Sequence, residues 1–225
     1  MRHFEERLNE LRLKLLEMGG LVESAVHSSV QALIEANVEM AKRVLADEPR
    51  INQLEIENDD LATGLLALEA PVASDLRFIT AAIKINNNLE RMGDKAANIA
   101  ERSIALASEP AVTSLVDIAR LGRLVEPMVH QALDAFVRRD SALARAVLTS
   151  DDAVDDMRNH ISAEVIQRLE EEPRNAKPWL DLLFIGRSLE RIGDHATNIA
   201  EDVVFMVDGV DVRHGHQPSP PASGG

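Results

Sequence analysis

The residues of this chain that could do chemistry are carboxylates spaced four positions apart. The pairs with this spacing are Glu90 with Asp94, Asp151 with Asp155, and Glu190 with Asp194. On a helix, such side chains have Cβ atoms about 5–6 Å apart, so two carboxylates repel each other unless a cation lies between them. Oxygen ligands suit Mg²⁺, Mn²⁺, Ca²⁺ or iron, and zinc suits the set less unless His195 joins it. The spacing therefore indicates metal-ion binding.

Two of these pairs belong to a segment that occurs twice. Residues 89–101 read LERMGDKAANIAE and residues 189–201 read LERIGDHATNIAE, with ten of thirteen positions identical at a spacing of 100 residues. At about 100° per residue, the polar members of the first copy share an arc of about 80°, and they are Glu90, Asp94, Asn98 and Glu101. The apolar members fall on the opposite side, and they are Leu89, Met92, Ala96, Ile99 and Ala100. We therefore expect each copy to be an amphipathic helix whose acidic row points away from the core.

The helix before each repeated segment offers a second pair of oxygen ligands. These ligands are Glu48 and Asn52 in the first half, and Asp151 and Asp155 in the second half. Gly93 and Gly193 lie at equivalent places, and each lowers helix propensity by about 1 kcal/mol relative to alanine, so they indicate a close approach of neighbouring helices. Because Asn52 has an amide where Asp155 has a carboxylate, we expect the second-half metal site to be the stronger one.

The composition is that of packed helices. Of the 225 residues, 45% are hydrophobic but only 3% are aromatic, and there is no tyrosine and no cysteine. The formal charge of 24 − 38 = −14 repels nucleic-acid phosphates and anionic lipids, so we expect no direct nucleic-acid binding. No run of apolar residues is long enough to span a membrane, so we expect a cytoplasmic protein that meets membranes only through partners.

Apolar spacing predicts three long helices in each half of an all-α protein. In the first half they cover about 4–36, 38–69 and 74–107, with a break near Pro49 and with Ser74 as an N-cap. A shift of 103 residues aligns the second half and predicts helices over about 114–138 and 140–171, and a sixth helix ends near 207. The expected domains are 1–108 and 112–208. Residues 209–225 are rich in glycine, proline and serine and are expected to be a disordered tail.

The doubled three-helix unit resembles the PhoU family of accessory proteins of the bacterial phosphate-specific transport system. The resemblance rests on LERMGD, on LERIGDHATNIAE and on PVASDLR at residues 71–77, and it covers about residues 1–208. It implies two pseudo-symmetric three-helix bundles side by side. It also implies metal ions such as Mg, Mn, Fe or Zn on the acidic motifs, and the residues carried over are Glu48, Asn52, Glu90, Asp94, Asp151, Asp155, Glu190 and Asp194. The chain departs from the family pattern at Asn52 and at Lys95, which stands where His195 does in the other copy.

The resemblance further implies a regulatory adaptor that is not an enzyme. Such an adaptor links the ATPase subunit of the phosphate transporter to a sensor histidine kinase, and it restrains both phosphate uptake and the phosphate-starvation response when phosphate is plentiful. Members are expected to be homodimers. A physical hypothesis follows, in which cations on the acidic rows reduce local negative charge and allow an acidic or phosphate-bearing partner to dock.

Two alternatives to this interpretation stay open at the level of sequence. The first is an enzyme with a carboxylate-bridged pair of metal ions inside a helical bundle, although such sites use inward ligands and a Glu-x-x-His spacing that this chain lacks. The second is a helical adaptor whose acidic rows never bind metal. Elsewhere, His27 and His130 each follow a glutamate by one turn, and polar packing or a surface salt bridge is favoured over a metal role for them. Arg77, Arg91 and Arg191 could bind phosphate, but an ion pair or a side-chain stem packed over its neighbour is favoured.

Overall fold

The protein folds almost entirely into α-helices. The computed structural model describes residues 2–68, 71–108 and 117–213. Within these ranges the helices are α1 (Arg2–Ile34), α2 (Val38–Leu68), α3 (Ala73–Leu106), α4 (Ile118–Arg138), α5 (Ser141–Leu148), α6 (Asp151–Glu171) and α7 (Ala176–Asp208), with a 3-10 turn at Pro173–Asn175. The predicted all-α class is confirmed.

The helices form two three-helix bundles that lie side by side. Helices α1, α2 and α3 make the first bundle, and α4, the pair α5–α6, and α7 make the second. The bundles meet mainly through α3 and α7, whose contact is the most extensive between any two of the described helices. The apolar face predicted for the repeated segment is confirmed, because Leu89, Met92 and Ile99 are fully buried. The two helices that carry the acidic motifs are therefore held at the centre of the molecule.

The second helix of each repeat differs from the prediction. Helix α2 runs through Pro49 without the expected break, whereas the corresponding helix of the second repeat is divided at Thr149 and Ser150. Their backbone N–H groups donate to Ala146 O and Val147 O, three residues back, and the Thr149 hydroxyl also donates to Ala146 O at 2.8 Å. These local hydrogen bonds tighten the last turn and end α5. The prediction of one continuous helix over 140–171 is therefore wrong.

Helix starts are capped in ways that the sequence predicts only in part. Ser74 is not the N-cap of α3, because the helix already begins at Ala73 after the extended residue Val72. Asp140 is the N-cap of α5, since its carboxylate accepts hydrogen bonds from the backbone N–H groups of Ala142 and Leu143, both at 3.0 Å. The predicted start of the fourth helix near 114 lies outside the described residues, and the described helix starts at Ile118.

Two glycines allow α1 and α4 to cross closely. A Cβ atom at Gly19 would lie 2.9 Å from Leu133 Cδ2, and one at Gly122 would lie 2.8 Å from Val30 Cγ1. Val30 and Leu133 are 103 residues apart, as are Gly19 and Gly122, so the two contacts are equivalent in the two repeats. Each glycine therefore receives a side chain from the other bundle.

The α3–α7 contact contains the two buried carboxylates of the described residues, Asp181 and Asp202. Arg102 Nη1 donates to Asp181 Oδ1 at 2.6 Å, and Lys84 Nζ donates to Asp202 Oδ1 at 3.1 Å. The helices run antiparallel, because the earlier residue of α3 pairs with the later residue of α7. Buried charges are tolerated here because each carboxylate has a cationic partner.

The chain after α7 folds back onto the protein before the description ends. Gly209 has a positive φ of 70° and lies beside Arg77, and Val212 packs against the core. The predicted disordered tail therefore does not begin at residue 209. The rest of that prediction, residues 214–225 with His214 and His216, lies outside the described residues.

Candidate functional site

The first two members of each acidic row, Glu90 with Asp94 and Glu190 with Asp194, lie half-buried in the groove beside the preceding helix, and do not point fully into solvent as predicted. The Glu90 side chain is 22% exposed and the Glu190 side chain only 13% exposed. The reason is the close approach that Gly93 and Gly193 allow: a Cβ at Gly93 would lie 3.2 Å from Ile51, and one at Gly193 would lie 3.4 Å from Val154. The expectation of an outward-facing row is corrected to a groove-lining one.

In the second repeat the four predicted carboxylates come together. Burial raises the pKa of Asp151 most, and the charges of Asp194, Asp155, Asp152 and Glu190 raise it further. This mutual repulsion means that α6 and α7 bring their predicted ligands into one group. Burial also raises the pKa of Asp194, although Arg191 opposes this effect. The group, hereafter the second acidic cluster, comprises Asp151, Asp155, Glu190 and Asp194.

Two arginines neutralise part of the second acidic cluster. Arg158 lies between the helices, with its Nη2 atom 3.3 Å from Glu190 Oε1 and 3.6 Å from Asp155 Oδ1. Arg191 donates to Asp194 at 2.9 Å. An ion pair was predicted for Arg191 but not for Arg158. The available signal was that Arg158 follows Asp155 by three residues and Asp151 by seven, which places it on the acidic face of α6.

The first repeat has a corresponding group, hereafter the first acidic cluster, that comprises Glu48, Asn52, Glu55, Glu90 and Asp94. Asn52 donates to Glu48 at 3.3 Å, and Arg91 lies 3.4 Å from Glu90. Burial raises the pKa of Glu90 most, and Asp94 and Glu55 raise it further against the opposing charge of Arg91. Glu55 was not predicted. It stands at the position of Arg158 in the other repeat, so the first cluster has an acid where the second has a base.

The two clusters differ in which atom lacks a partner. The Asn52 Oδ1 atom is buried and accepts no hydrogen bond, while in the second cluster the buried atom without a partner is a donor, Arg158 Nε. A buried oxygen without a hydrogen-bond partner, beside carboxylates, can serve as a ligand for a hard cation, whereas a buried N–H group without a partner cannot. As the side chains are placed, no three His, Asp or Glu residues among the described ones converge on a single point. Coordination would therefore require carboxylate rotation, and in the second cluster also displacement of Arg158.

The remaining members of the predicted rows face a different groove. Asn98 lines a groove between α3 and α7, and toward the other end of the same helix pair Asn198 and Glu201 line its counterpart. His195 also turns to this interface, with Nδ1 2.9 Å from Asn88 Oδ1. The structure therefore divides each row of four in two, and only the first two members face the preceding helix.

The pKa of His195 gives a testable pH dependence. Burial, followed by Lys95, Arg191 and Arg91, lowers this pKa from 6.5 to about 4. Between these values the unfolded chain binds a proton that the folded protein does not, so we expect stability to fall as the pH drops from about 6.5 toward 4, by less than about 1.4 kcal/mol per pH unit. Chemical unfolding of wild type and His195→Gln across this range measures the difference. Parallel curves for the two proteins would contradict the assignment to His195.

His27 and His130 each contact a glutamate, but on the other repeat and not the one a turn earlier in the same helix. His27 Nδ1 lies 2.9 Å from Glu126 and His130 Nδ1 lies 2.7 Å from Glu23. The two contacts are equivalent under the 103-residue shift and join α1 to α4.

In the part of the chain that the structure describes, no helix has the length and hydropathy needed to cross a bilayer.

Comparison with known proteins finds one family over both repeats. The PhoU domain matches residues 15–103 and again residues 118–203. The phosphate-specific transport system accessory protein PhoU homolog of Pseudomonas aeruginosa is 42% identical over 212 residues, which is 94% of this chain and 88% of that protein. The homolog of the same name from Aquifex aeolicus is 38% identical and covers 96% of this chain and 97% of its own length.

Solved structures give the same result for the fold. The crystal structure of PhoU from Pseudomonas aeruginosa has a TM-score of 0.88 at 40% identity, covering 92% of this chain and 100% of that one. The phosphate transport system regulatory protein PhoU from Streptococcus pneumoniae has a TM-score of 0.82 at 29% identity, covering 93% of this chain and 99% of its own. The architecture of two helical repeats is thus shared over nearly the whole chain.

Proposed function

Since this chain belongs to the PhoU family, we propose that it is a cytoplasmic regulatory adaptor that restrains phosphate uptake and the phosphate-starvation response. The observation that supports this proposal is that both repeats match the family over most of their length. Its relatives are named as accessory or regulatory proteins of phosphate transport rather than as enzymes. The proposed partners are the ATPase subunit of the phosphate transporter and a sensor histidine kinase, and the proposed oligomer is a homodimer.

The acidic clusters support a charge-controlled mode of docking. The chain has a formal charge of −14, and each cluster concentrates part of that charge in a half-buried groove. A divalent cation, when bound, supplies positive charge that offsets the repulsion between the carboxylates. Glu90 and Asp94 would hold it from α3, and Glu48, Asn52 and Glu55 from α2. Neutralised grooves then allow a negatively charged partner surface to approach α2 and α3.

The position of the acids distinguishes this proposal from a dimetal enzyme. Bundle enzymes of that type place their carboxylates inward around an enclosed pocket. In this protein the inward face of the repeated segments consists of apolar residues, and the candidate ligands line grooves at the bundle surface. Within the described residues, the buried acids Asp181 and Asp202 are instead paired with Arg102 and Lys84.

A cellular replacement experiment tests the proposed function. We expect the double variant Glu90→Gln/Asp94→Asn, which removes two charges from the first acidic cluster, to derepress phosphate uptake and a phosphate-starvation reporter in phosphate-rich medium. The measurements are phosphate uptake rate and reporter output, with protein abundance checked by immunoblot. Asp60→Asn/Glu101→Gln removes the same charge from exposed positions on α2 and α3 and serves as the matched control.

Three outcomes separate the parts of the proposal. If deletion of the whole chain leaves uptake and reporter unchanged, the regulatory function is wrong. If deletion derepresses both but the cluster variant behaves as wild type, the regulator stands and the docking mode is wrong. If the control variant derepresses as strongly as the cluster variant, the effect belongs to overall charge and not to the cluster.

A further inference from the structure

A second kind of site lies between the repeats, in the groove hereafter called the basic groove. It is formed by α3 and α7, has a volume of about 210 Å³, and is lined by Lys95, Asn98, Arg102, Phe184, Arg187, Ser188 and Arg191. Four of these seven residues are cationic and none is acidic. In a chain with a formal charge of −14, such a concentration of positive charge in one groove needs an explanation other than average composition.

The counterpart groove toward the other end of the same helix pair shows that the charge is specific to one of the two grooves. The 100-residue shift relates the two grooves, and the counterpart is lined by Ile83, Lys84, Asn87, Asn88, Asn198, Glu201, Asp202 and Arg213. Where the basic groove has Arg102, its counterpart has Asp202, and where the basic groove has Arg187, its counterpart has Asn87. The fold alone therefore does not require cations at these positions, and the two grooves have diverged in charge.

The cations of the basic groove retain donors that the protein does not use. Lys95 and Arg187 make no hydrogen bond or ion pair with any residue that the structure describes. Arg102 uses Nη1 for Asp181 and stacks its guanidinium 4.4 Å from the Phe184 ring, and Arg191 uses Nη1 for Asp194, which leaves other N–H groups on each guanidinium. The groove therefore presents several free donors to one small volume.

The neutral groups of the groove add at most the second N–H of the Asn98 amide to this set of donors. The Asn98 amide donates to Asp94 O at 2.8 Å, and the Ser188 hydroxyl donates to Phe184 O at 3.0 Å. Recognition would consequently depend on the cations. Ammonium and guanidinium groups hydrogen-bond best to anionic oxygens, and a guanidinium matches the oxygens of a phosphoryl group with two parallel N–H bonds.

We propose that the basic groove binds a small phosphate-class oxyanion, either inorganic phosphate or the phosphoryl group of a small metabolite. The volume is below the range of about 300–1,000 Å³ that holds drug-sized ligands, so a compact anion fits and a large ligand does not. Lys95 and Arg187 would bind the anion directly, with Arg102 and Arg191 flanking it. Because the groove lies across α3 and α7, an anion there contacts both repeats at once. This site adjoins the second acidic cluster through Arg191, which pairs with Asp194, but it uses cations rather than carboxylates and does not require metal.

The test uses the full chain, freed of metal by chelator, and measures phosphate binding by isothermal titration calorimetry. The double variant Lys95→His/Arg187→Asn copies the residues of the counterpart groove, so it introduces only side chains that the same fold already accommodates. We expect it to weaken inorganic phosphate binding by about tenfold or more, since charged hydrogen bonds are lost. Arg174→Asn, which removes an exposed cation from the 3-10 turn, is the control and should leave binding unchanged.

Further titrations identify the anion and define failure. Inorganic phosphate and glycerol phosphate are compared in parallel, and tighter binding of one assigns the physiological source to free phosphate or to a phosphoryl ester. Added sodium chloride should weaken binding of either. Any one of three results would overturn the proposal. Phosphate binding could be saturable but unaffected by the double variant, Arg174→Asn could lose as much phosphate affinity as the double variant, or the wild-type chain could fail to bind phosphate. These results are independent of uptake regulation, because they use purified metal-free protein.

Discussion

Replacing Glu55 by arginine is expected to weaken Mn²⁺ binding by the first acidic cluster by about 10–100-fold, the size of effect seen when groups around a metal are changed. The substitution places in the first cluster the residue that the second cluster already has at this position, Arg158. A guanidinium there would compete with the cation for Glu90, as Arg158 pairs with Glu190 at 3.3 Å. Equilibrium dialysis and electron paramagnetic resonance of Mn²⁺ measure the change without any activity assay.

The reciprocal exchange makes this prediction specific to position. Arg158→Glu should strengthen Mn²⁺ binding by the second cluster, because it removes the paired cation and adds a carboxylate. Asp60→Arg and Arg174→Glu change the formal charge by the same amounts at exposed positions and are the matched controls. If Asp60→Arg weakens binding as much as Glu55→Arg, total charge rather than the cluster controls affinity, and the proposed role of Glu55 is wrong.

These exchanges also decide between two rankings of the clusters. The amide of Asn52 led us to expect the stronger site in the second repeat, and that expectation stays a prediction. The structure gives a reason to expect the opposite, because Arg158 occupies the second cluster and the buried oxygen of Asn52 lacks a partner in the first. Stronger Mn²⁺ binding by the variant Glu190→Gln/Asp194→Asn than by the variant Glu90→Gln/Asp94→Asn would favour the first cluster.

Gly122→Leu is expected to destabilise the protein by about 3 kcal/mol, at the upper end of the usual range for overpacking a core. The Cβ atom alone would lie 2.8 Å from Cγ1 of Val30, which is 1% exposed. Valine is restricted at χ1, so it cannot move its methyl groups aside as easily as a longer side chain. Urea unfolding followed by circular dichroism measures the loss.

Gly20→Leu is the matched control for this prediction. Gly20 is exposed on α1, and a Cβ there would meet nothing within 4 Å. The same substitution should therefore be neutral or stabilise the protein by up to about 1 kcal/mol, through higher helix propensity. Equal destabilisation by both variants would mean that the α1–α4 crossing is not the tight contact that its geometry indicates.

The internal repeat explains why so much of the fold could be predicted. Two copies of one segment define the same apolar face, and Leu89, Met92 and Ile99 are buried as that periodicity requires. Gly93 correctly indicated a close helix approach, since a Cβ there would lie 3.2 Å from Ile51, and Gly193 lies at the equivalent contact with Val154, at 3.4 Å. Helix ends were harder to predict, because a proline within α2 and two hydroxyl residues after α5 have effects that depend on local hydrogen bonds.

The composition of the candidate site could be predicted only where one helix determines it. Glu90 and Asp94 share a face of α3 by spacing alone, and Glu48, Asn52 and Glu55 share a face of α2, but the meeting of these two faces depends on the register between neighbouring helices. That register depends on packing, which a periodicity does not contain. The basic groove was missed for the same reason: Lys95 and Arg187 are 92 positions apart, and only the antiparallel contact of α3 and α7 brings them together.

The unlike ion pairs between α3 and α7 mean that each half of the chain is a poor partner for a copy of itself. If two first halves met through the same antiparallel contact, Arg102 would face Ala81 and would approach the other copy's Lys84. Two second halves would bring Asp181 against Asp202. Only a first half with a second half satisfies both Arg102–Asp181 and Lys84–Asp202. The duplicated halves have become complementary, and neither can now replace the other.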